Sequence, residues 1–393
     1  MRYLTSILDE FAEQKFVLLS GPRQVGKTTL AKAWCQRQAA TGRNTLYLNW
    51  DVPADRQAIL AREWLRPLTI QALVLDEFHK YARWKSFLKG LYDQEGPRLQ
   101  VVVTGSARLD VFQRGGESLF GRYEALRLHP FSIAELTRGG LVGPPQDWLA
   151  LDPPEIDPKL WLQLERRSGF PEPFYRDDPL QHRRWSVRRR QLLIREELRE
   201  ISQIKELSLV EHLALLLPVR AGAPLSVNAL REELQVAHDT VNSWLTALDR
   251  LYFCFRIAPF RRRITRSLTK EQKLYLWDWS AVADEAARFE NMVASHLLKS
   301  VHAWNDVGYG EFDLRYLRDK EKNEVDFLVT NSHKPIVLLE CKLTDETPSA
   351  ALIKFGAHLG NVPRIQLLRR GGVDRLRSGT RVVSADRYLA GLV

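Results

Sequence analysis

The sequence predicts an α/β protein: a parallel sheet with flanking helices at the N-terminus, a helical or winged-helix middle, and a further α/β domain at the C-terminus. Three observations carry this. Between Lys15 and about Ser132, apolar strand-like runs alternate with helical patterns, and that alternation packs naturally as a parallel sheet covered by helices. From Gly139 to Pro158 the chain turns Pro/Gly-rich and marks a boundary. A long helical pattern, Ala281–Ala303, then opens a final run of strands. A chain of 393 residues exceeds one ordinary core, so the expected parsing is 1–140, 141–204, 205–278 and 279–393.

The strand runs of the first part are Phe16–Ser20, Thr45–Asn49, Ala72–Leu75 and Gln100–Thr104, with a helical segment at Thr29–Gln38. Beyond the Pro/Gly tract, Arg183 to Leu217 reads as helical. Two amphipathic segments follow, Val227–Leu234 and Asp239–Leu251, separated by a short turn and continued by a β-like run, Tyr252–Phe260. That order predicts a helix-turn-helix with a wing. The C-terminal part has strand patterns at Phe312–Leu317, Val325–Val329 and Ile336–Cys341, a helix near Ser349–Leu359 and a strand at Arg364–Arg369.

Composition excludes several classes. With 45% hydrophobic and 27% charged residues the chain has the balance of a globular protein and not of a disordered one. The first residues lack the apolar run of a signal peptide, and Leu213–Val219 is too short to span a bilayer, so a cytoplasmic protein without membrane contact is expected. Three scattered cysteines, Cys35, Cys254 and Cys341, argue against a disulfide framework or a Cys-based zinc site. The net charge of +10 is concentrated in arginines: Arg183-Arg184, Arg188-Arg189-Arg190, Arg261-Arg262-Arg263 and Arg266. Such a surface attracts polyanions such as nucleic acid; an Arg-rich helix also serves as a solvated face or subunit contact.

The most informative motif is Gly21-Pro22-Arg23-Gln24-Val25-Gly26-Lys27-Thr28-Thr29, placed after an apolar strand and before a helix. This is the context of a phosphate-binding P-loop: backbone N–H groups wrap the phosphates of ATP where the helix dipole favours negative charge. Lys27 is expected to reach the β- and γ-phosphates, and the Thr28 hydroxyl to ligate Mg²⁺. Downstream, Ala72-Leu-Val-Leu-Asp76-Glu77 has the form of a Walker B strand. Asp76 would hold Mg²⁺ through its water shell, and Glu77 would polarise the attacking water. After the next strand, Thr104 and Ser106 are both eligible to sense the γ-phosphate, and Arg108 and Arg122 are both eligible to meet the developing charge, in cis or from a neighbouring subunit.

Together with Thr104-Gly-Ser106, Gly121-Arg122, Pro130-Phe-Ser132 and Gly169-Phe-Pro-Glu172, these motifs resemble a family of prokaryotic AAA+ ATPases that carry a poorly characterised C-terminal domain. The likeness covers nearly the whole chain. It implies a homo-oligomer whose sites are completed by a neighbour's arginine. One departure is His79, where the family commonly has Gln.

In the middle, the second helix of the pair presents His238, Asp239, Thr240, Asn242 and Ser243 near its start, groups that contact phosphates or base edges in DNA-binding modules. The alternative is a packing or oligomerisation role. In the C-terminal part, Glu290 on the long helix, Asp326 on a strand and Glu340-Cys341-Lys342 on the next resemble the PD-(D/E)XK nuclease superfamily. The resemblance implies Mg²⁺ bound by Asp326, Glu340 and the Cys341 carbonyl, a further ligand from Glu290, and charge stabilisation by Lys342. Glu324 shares the Asp326 face by strand alternation and offers an alternative ligand. The sequence therefore reads as a Mg²⁺-dependent AAA+ ATPase directed to DNA or another nucleic acid. Its rival is a nucleotide-switched signalling or scaffold ATPase with a non-cleaving C-terminal domain.

Overall fold

The structure is a computed structural model that describes residues 2–62, 69–105, 121–201, 204–260 and 272–393. The chain divides into two units, Met1–His129 and Pro130–Val393. Among the described residues no helix is long and apolar enough to cross a membrane.

The first unit is a five-stranded sheet in the order β2-β3-β4-β1-β5, all pairs parallel. Its strands are β1 (Phe16–Ser20), β2 (Thr45–Asn49), β3 (Ala72–Asp76), β4 (Gln100–Thr104) and β5 (Tyr123–Arg127). The three central strands, β1, β3 and β4, are buried along their whole length, which is why they read as continuous apolar runs. Helices α1 (Thr5–Gln14) and α2 (Lys27–Ala40) pack on the sheet. Phe87, Leu88 and Leu91 of α3 (Trp84–Glu95) form a core with Phe16, Leu18, Leu73, Leu75, Val101 and Val103. Strand β5 had no counterpart among the expected strands. It is an edge strand, Tyr-Glu-Ala-Leu-Arg, and only Leu126 is fully buried, so its composition carries little apolar signal.

The second unit begins with helices. The segment expected to be helical from Arg183 to Leu217 is divided: helix Pro179–Leu192, a π turn Leu193–Glu197, a short helix Leu198–Ile201, and helix Leu207–Leu216. The paired helices lie at Val227–Leu234 and His238–Arg250, followed by β6 (Cys254–Ile257) antiparallel to β7 (Lys273–Leu276). Ser226 caps the first of these helices by accepting from the Ala229 N–H. Residues 261–271, including Arg261, Arg262, Arg263 and Arg266, lie outside the described residues.

A 22-residue helix, Glu285–Asp306, leads into a six-stranded mixed sheet of order β12-β13-β11-β10-β9-β8. The strands are β8 (Phe312–Arg318), β9 (Glu324–Asn331), β10 (Lys334–Lys342), β11 (Arg364–Leu368), β12 (Asp374–Arg377) and β13 (Thr380–Ser384). Strands β12 and β13 extend the sheet beyond the expected set. The exposed pattern of Asp374-Arg-Leu-Arg377 explains the omission of the first.

Two short motifs act as joints inside this unit. Gly169 lies so close to Phe131 that a Cβ would strike the Phe131 carbonyl, while the Phe131 N–H donates to Gly169 O at 2.7 Å. Ser132, Glu135 and the Pro130 carbonyl surround the buried Lys299 ammonium of the long helix. His296 of the same helix accepts from the Ile133 N–H at 3.1 Å. Burial holds that imidazole well below its ordinary range, at about 4, in the neutral form that accepts. Pro130-Phe-Ser132 and Gly169-Phe-Pro-Glu172 thus have packing and polar-docking roles.

Candidate functional site

The nucleotide loop connects the buried strand β1 to α2, and its shape is dictated by two glycines. Gly21 has φ +140°, and a Cβ there would drive into the Leu128 carbonyl oxygen. Gly26, at φ 98°, caps α2 in the left-handed region, so the helix begins at Lys27 with its first-turn N–H groups turned to the loop. Within the loop Val25 is buried, Arg23 is half-buried, and Gln24 is exposed at φ 63°. Thr29 faces solvent on the first helical turn. The loop is braced from outside the motif: Arg2 donates to Val25 O at 2.6 Å and also to His129 O. Nothing in the sequence marks Arg2 for this role.

Lys27 is buried, and its ammonium donates to Gly21 O at 2.9 Å and Pro22 O at 2.8 Å. Loop carbonyls thus hold the charge that the motif assigns to terminal phosphates. Across the loop, Asp76 ends β3 as a nearly fully buried carboxylate surrounded by three hydroxyls. Thr28 Oγ1 donates to Asp76 Oδ2 at 2.9 Å, Tyr47 OH to the same oxygen at 2.5 Å, and Thr104 Oγ1 to Oδ1. Thr28 opens α2, Asp76 and Thr104 close β3 and β4, and Tyr47 reaches them from within β2, so the group gathers at the carboxyl ends of the strands, where α/β folds bind ligands. The donor set is all oxygen, and Thr28 and Asp76 already touch, which fits Mg²⁺. Thr28 would supply a direct oxygen and Asp76 would act through the ion's water shell.

Thr104 also accepts from the Glu77 N–H at 3.2 Å, so one hydroxyl joins both Walker B acids to β4. Glu77 adopts φ 54°, which turns it out of the strand. Burial raises its pKa, with Lys27, Lys80 and Arg23 opposing and Asp76 adding to the rise. A more basic carboxylate suits proton abstraction from water. His79, buried beside it, has Nδ1 3.8 Å from Glu77 Oε2. Ser106 and Arg108 lie outside the described residues. Arg122 lies elsewhere. Its neighbour Tyr123 pairs with Phe16 at the start of β1, whereas the phosphate loop follows Ser20 at the other end, roughly 15 Å away at the rise of a strand. Its guanidinium is paired with Asp93 at 2.7 Å.

A second group forms in the C-terminal sheet. The β9–β10 register sets Leu339 opposite Phe327, and one step further brings Glu340 opposite Asp326 on the same face. The Cys341 N–H donates to Asp326 Oδ2 at 2.9 Å, and Lys342 Nζ to Glu340 Oε1 at 2.9 Å. Glu340 Oε2 is buried without a hydrogen-bond partner. Burial first, then the Asp326 charge, pushes the Glu340 pKa up to about 7. Burial opposes the Lys342 charge, but Glu340 and Asp326 prevail and raise its pKa.

Glu290 reaches the group from the long helix, and burial with the Asp326 charge raises it to about 8. The residue that organises these acids was not among those expected from sequence. Lys273, at the start of β7 and 1% exposed, places its ammonium 2.6 Å from Glu324, 3.1 Å from Glu290 and 3.3 Å from Asp326. Tyr275 OH donates to Glu290 Oε1 at 2.7 Å. Glu324 and Asp326 do share a face, as alternation predicts, and both turn to this amine. Among the described residues no group of three or more His, Cys, Asp or Glu side chains is arranged to hold a metal ion. The unpartnered Glu340 oxygen fits a cation ligand; the engaged oxygens of Asp326 do not. The only sequence signal was a lysine leading an apolar strand, Lys273-Leu-Tyr-Leu-Trp277.

The start of the second paired helix leaves His238, Asp239 and Ser243 exposed, with Thr240 and Asn242 partly so. Asn242 and His238 contact each other at 3.1 Å. Arg183, Arg184 and Arg188 are exposed on helix Pro179–Leu192, whereas Arg189 is buried against Phe170.

Comparison with known proteins assigns the parts unevenly. Residues 13–137 match an AAA domain, residues 159–291 a domain of unknown function (DUF8612), and residues 286–387 another (DUF4143). The chain is 23% identical to uncharacterized proteins of Mycobacterium tuberculosis (Rv2008c) and Mycobacterium bovis (Mb2031c), over 92% of this chain and 82% of each relative. Among solved structures, AMPPCP-bound DnaA from Aquifex aeolicus is similar at 12% identity and a TM-score of 0.33, over 63% of this chain and 85% of that one. A katanin self-assembly structure is similar at 17% identity and a TM-score of 0.22, over 37% and 55%. At such scores neither carries an argument.

Proposed function

From the premise that residues 13–137 form an AAA-type P-loop domain, a nucleotide-binding ATPase fold, we propose that the chain couples Mg²⁺-dependent ATP hydrolysis to the handling of nucleic acid by its C-terminal part. The observation that carries the first half is the convergence of Thr28, Asp76, Thr104 and Glu77 beside the Lys27 loop. With ATP bound, Lys27 exchanges the Gly21 and Pro22 carbonyls for the β- and γ-phosphates. Bound Mg²⁺ would neutralise phosphate charge. Glu77 takes a proton from the attacking water, and Thr104 holds the two acids in register.

Arg122 is too far from its own loop to act there, which favours a role in a neighbouring copy's site. The expected result is that Arg122→Ala lowers turnover and that mixing it with Lys27→Ala restores part of it. A protein that sediments as a monomer with ATP, with Arg122→Ala fully active, would sink the shared site.

The nucleic-acid half is supported by the opposition of Asp326 and Glu340, the neighbouring Lys342, and the exposed arginines at 183, 184 and 188. The antiparallel β6–β7 pair after two helices supports a winged-helix reading of the middle part. In this reading Asp326 and Glu340 would bind Mg²⁺, Glu290 would add a ligand, and Lys342 would stabilise charge at a scissile phosphodiester. The test is incubation of pure protein with DNA and RNA, with and without ATP and Mg²⁺ or Mn²⁺. Nicking that Asp326→Ala and Lys342→Ala remove while ATP turnover survives is expected. The absence both of nicking and of stimulation of ATP turnover by nucleic acid would overturn it. The rival, a nucleotide-switched scaffold with a non-cleaving C-terminal domain, is favoured by one observation, the Lys273 ammonium among the acids.

A further inference from the structure

Lys273 uses its whole donor capacity on acids. An ammonium has three N–H groups, and here Glu324, Glu290 and Asp326 each lie within 3.3 Å of Nζ. The surrounding elements bring four acidic side chains together: Glu290 comes from the long helix, Glu324 and Asp326 from β9, and Glu340 from β10. Against them stand Lys273, Lys342 on Glu340, and Arg318 on Glu324 at 3.2 Å. Among the described residues four acidic groups face three cations, and the unpartnered oxygen belongs to Glu340, whose side chain is only 7% exposed. Lys273 is 1% exposed, and its ammonium also lies over the Tyr316 ring, 5.6 Å from the centroid, so it is held away from water.

We propose that Lys273 is a built-in competitor of divalent metal at the C-terminal acidic cluster, a resident cation that a hard ion must displace from Asp326 and Glu290 before it can bind. The idea rests on the reading of Asp326 and Glu340 as metal ligands, and it names what controls that site. The carboxylates are pre-assembled by an ammonium, their mutual repulsion is relieved without metal, and divalent affinity is set by how firmly β7 holds Lys273 in place. Metal entry becomes a conditional event, open to anything that shifts β7.

The experiment is a Mn²⁺ titration of the nucleotide-free full chain, read by the loss of the free-ion paramagnetic resonance signal. Asp326→Asn serves as the subtraction that isolates this site from the P-loop. Lys273→Met should gain Asp326-dependent Mn²⁺ binding on the order of 100-fold tighter than the unmodified chain, since one unit charge is removed within about 4 Å of the ligands. Lys273→Arg, which keeps the charge, should gain nothing. Equal affinity in the unmodified chain and Lys273→Met overturns the proposal, as does a folded Lys273→Met without a gained site. Should Lys273→Met fail to fold, the unmodified chain decides: Asp326-dependent binding at micromolar Mn²⁺ overturns the proposal, and no difference from Asp326→Asn supports it. The nuclease reading is judged separately by nicking, so cleavage with unchanged metal affinity would sink this inference and spare that one.

Discussion

Glu77→Gln is expected to bind ATP and hold it unhydrolysed, with turnover reduced by about 10²–10⁴-fold, the usual contribution of a positioned general base. The geometry makes this substitution selective. Glu77 leaves the strand at φ 54°, its backbone N–H is anchored on Thr104, and its side chain makes no hydrogen bond to Asp76 or Thr28. The amide keeps size and polarity but cannot accept the proton of water. Lys27→Ala should behave differently and lose productive nucleotide binding, because it deletes the buried cation of the loop. Phosphate release and fluorescent-nucleotide titration separate the two. Unchanged turnover in Glu77→Gln would remove the residue from its role, and wild-type affinity in Lys27→Ala would do the same for the lysine.

The second large effect is on stability. Lys299 and Glu135 are almost fully buried and lie 2.5 Å apart, with Pro130 O and Ser132 Oγ taking further donors of the ammonium at 3.1 and 2.9 Å. Removing one member of such a pair strips the other buried charge of its closest counter-charge, a cost of about 3–5 kcal/mol. Lys299→Met should therefore strongly destabilise the unit that contains it. The double variant Lys299→Met/Glu135→Leu should recover much of the loss, because the desolvation penalty disappears with the second charge. Urea unfolding of the single and double variants measures both. A loss under about 1 kcal/mol in Lys299→Met would mean that water reaches the site and that the burial argument fails.

Much of the fold was legible because it depends on short-range rules. The loop Gly21–Thr28 is specified by what glycine permits and by a strand and a helix on either side. The runs Phe16–Ser20, Ala72–Leu75 and Gln100–Thr104 announce central strands because both faces are covered. The paired helices and the 22-residue helix show their 3.6-residue period. Where one side of an element is wet and short, as in β5 and β12, the period is too weak to see.

By itself, then, the sequence determined the phosphate loop, the Walker B strand, the parallel sheet that carries them, and the common face of Glu340 and Lys342 that strand alternation imposes. Tertiary structure alone decided which distant groups meet. It brings the Tyr47, Thr28 and Thr104 hydroxyls onto one carboxylate, sends Arg122 to the far end of the sheet, and makes Pro130-Phe-Ser132 a cradle for Lys299. It also sets Lys273 among Glu290, Glu324 and Asp326. The physical reason is that a lysine, a tyrosine or a threonine has the same chemistry in every sequence. What changes its role is the dielectric and the company around it, and those are fixed only when strands far apart in the chain pair and exclude water.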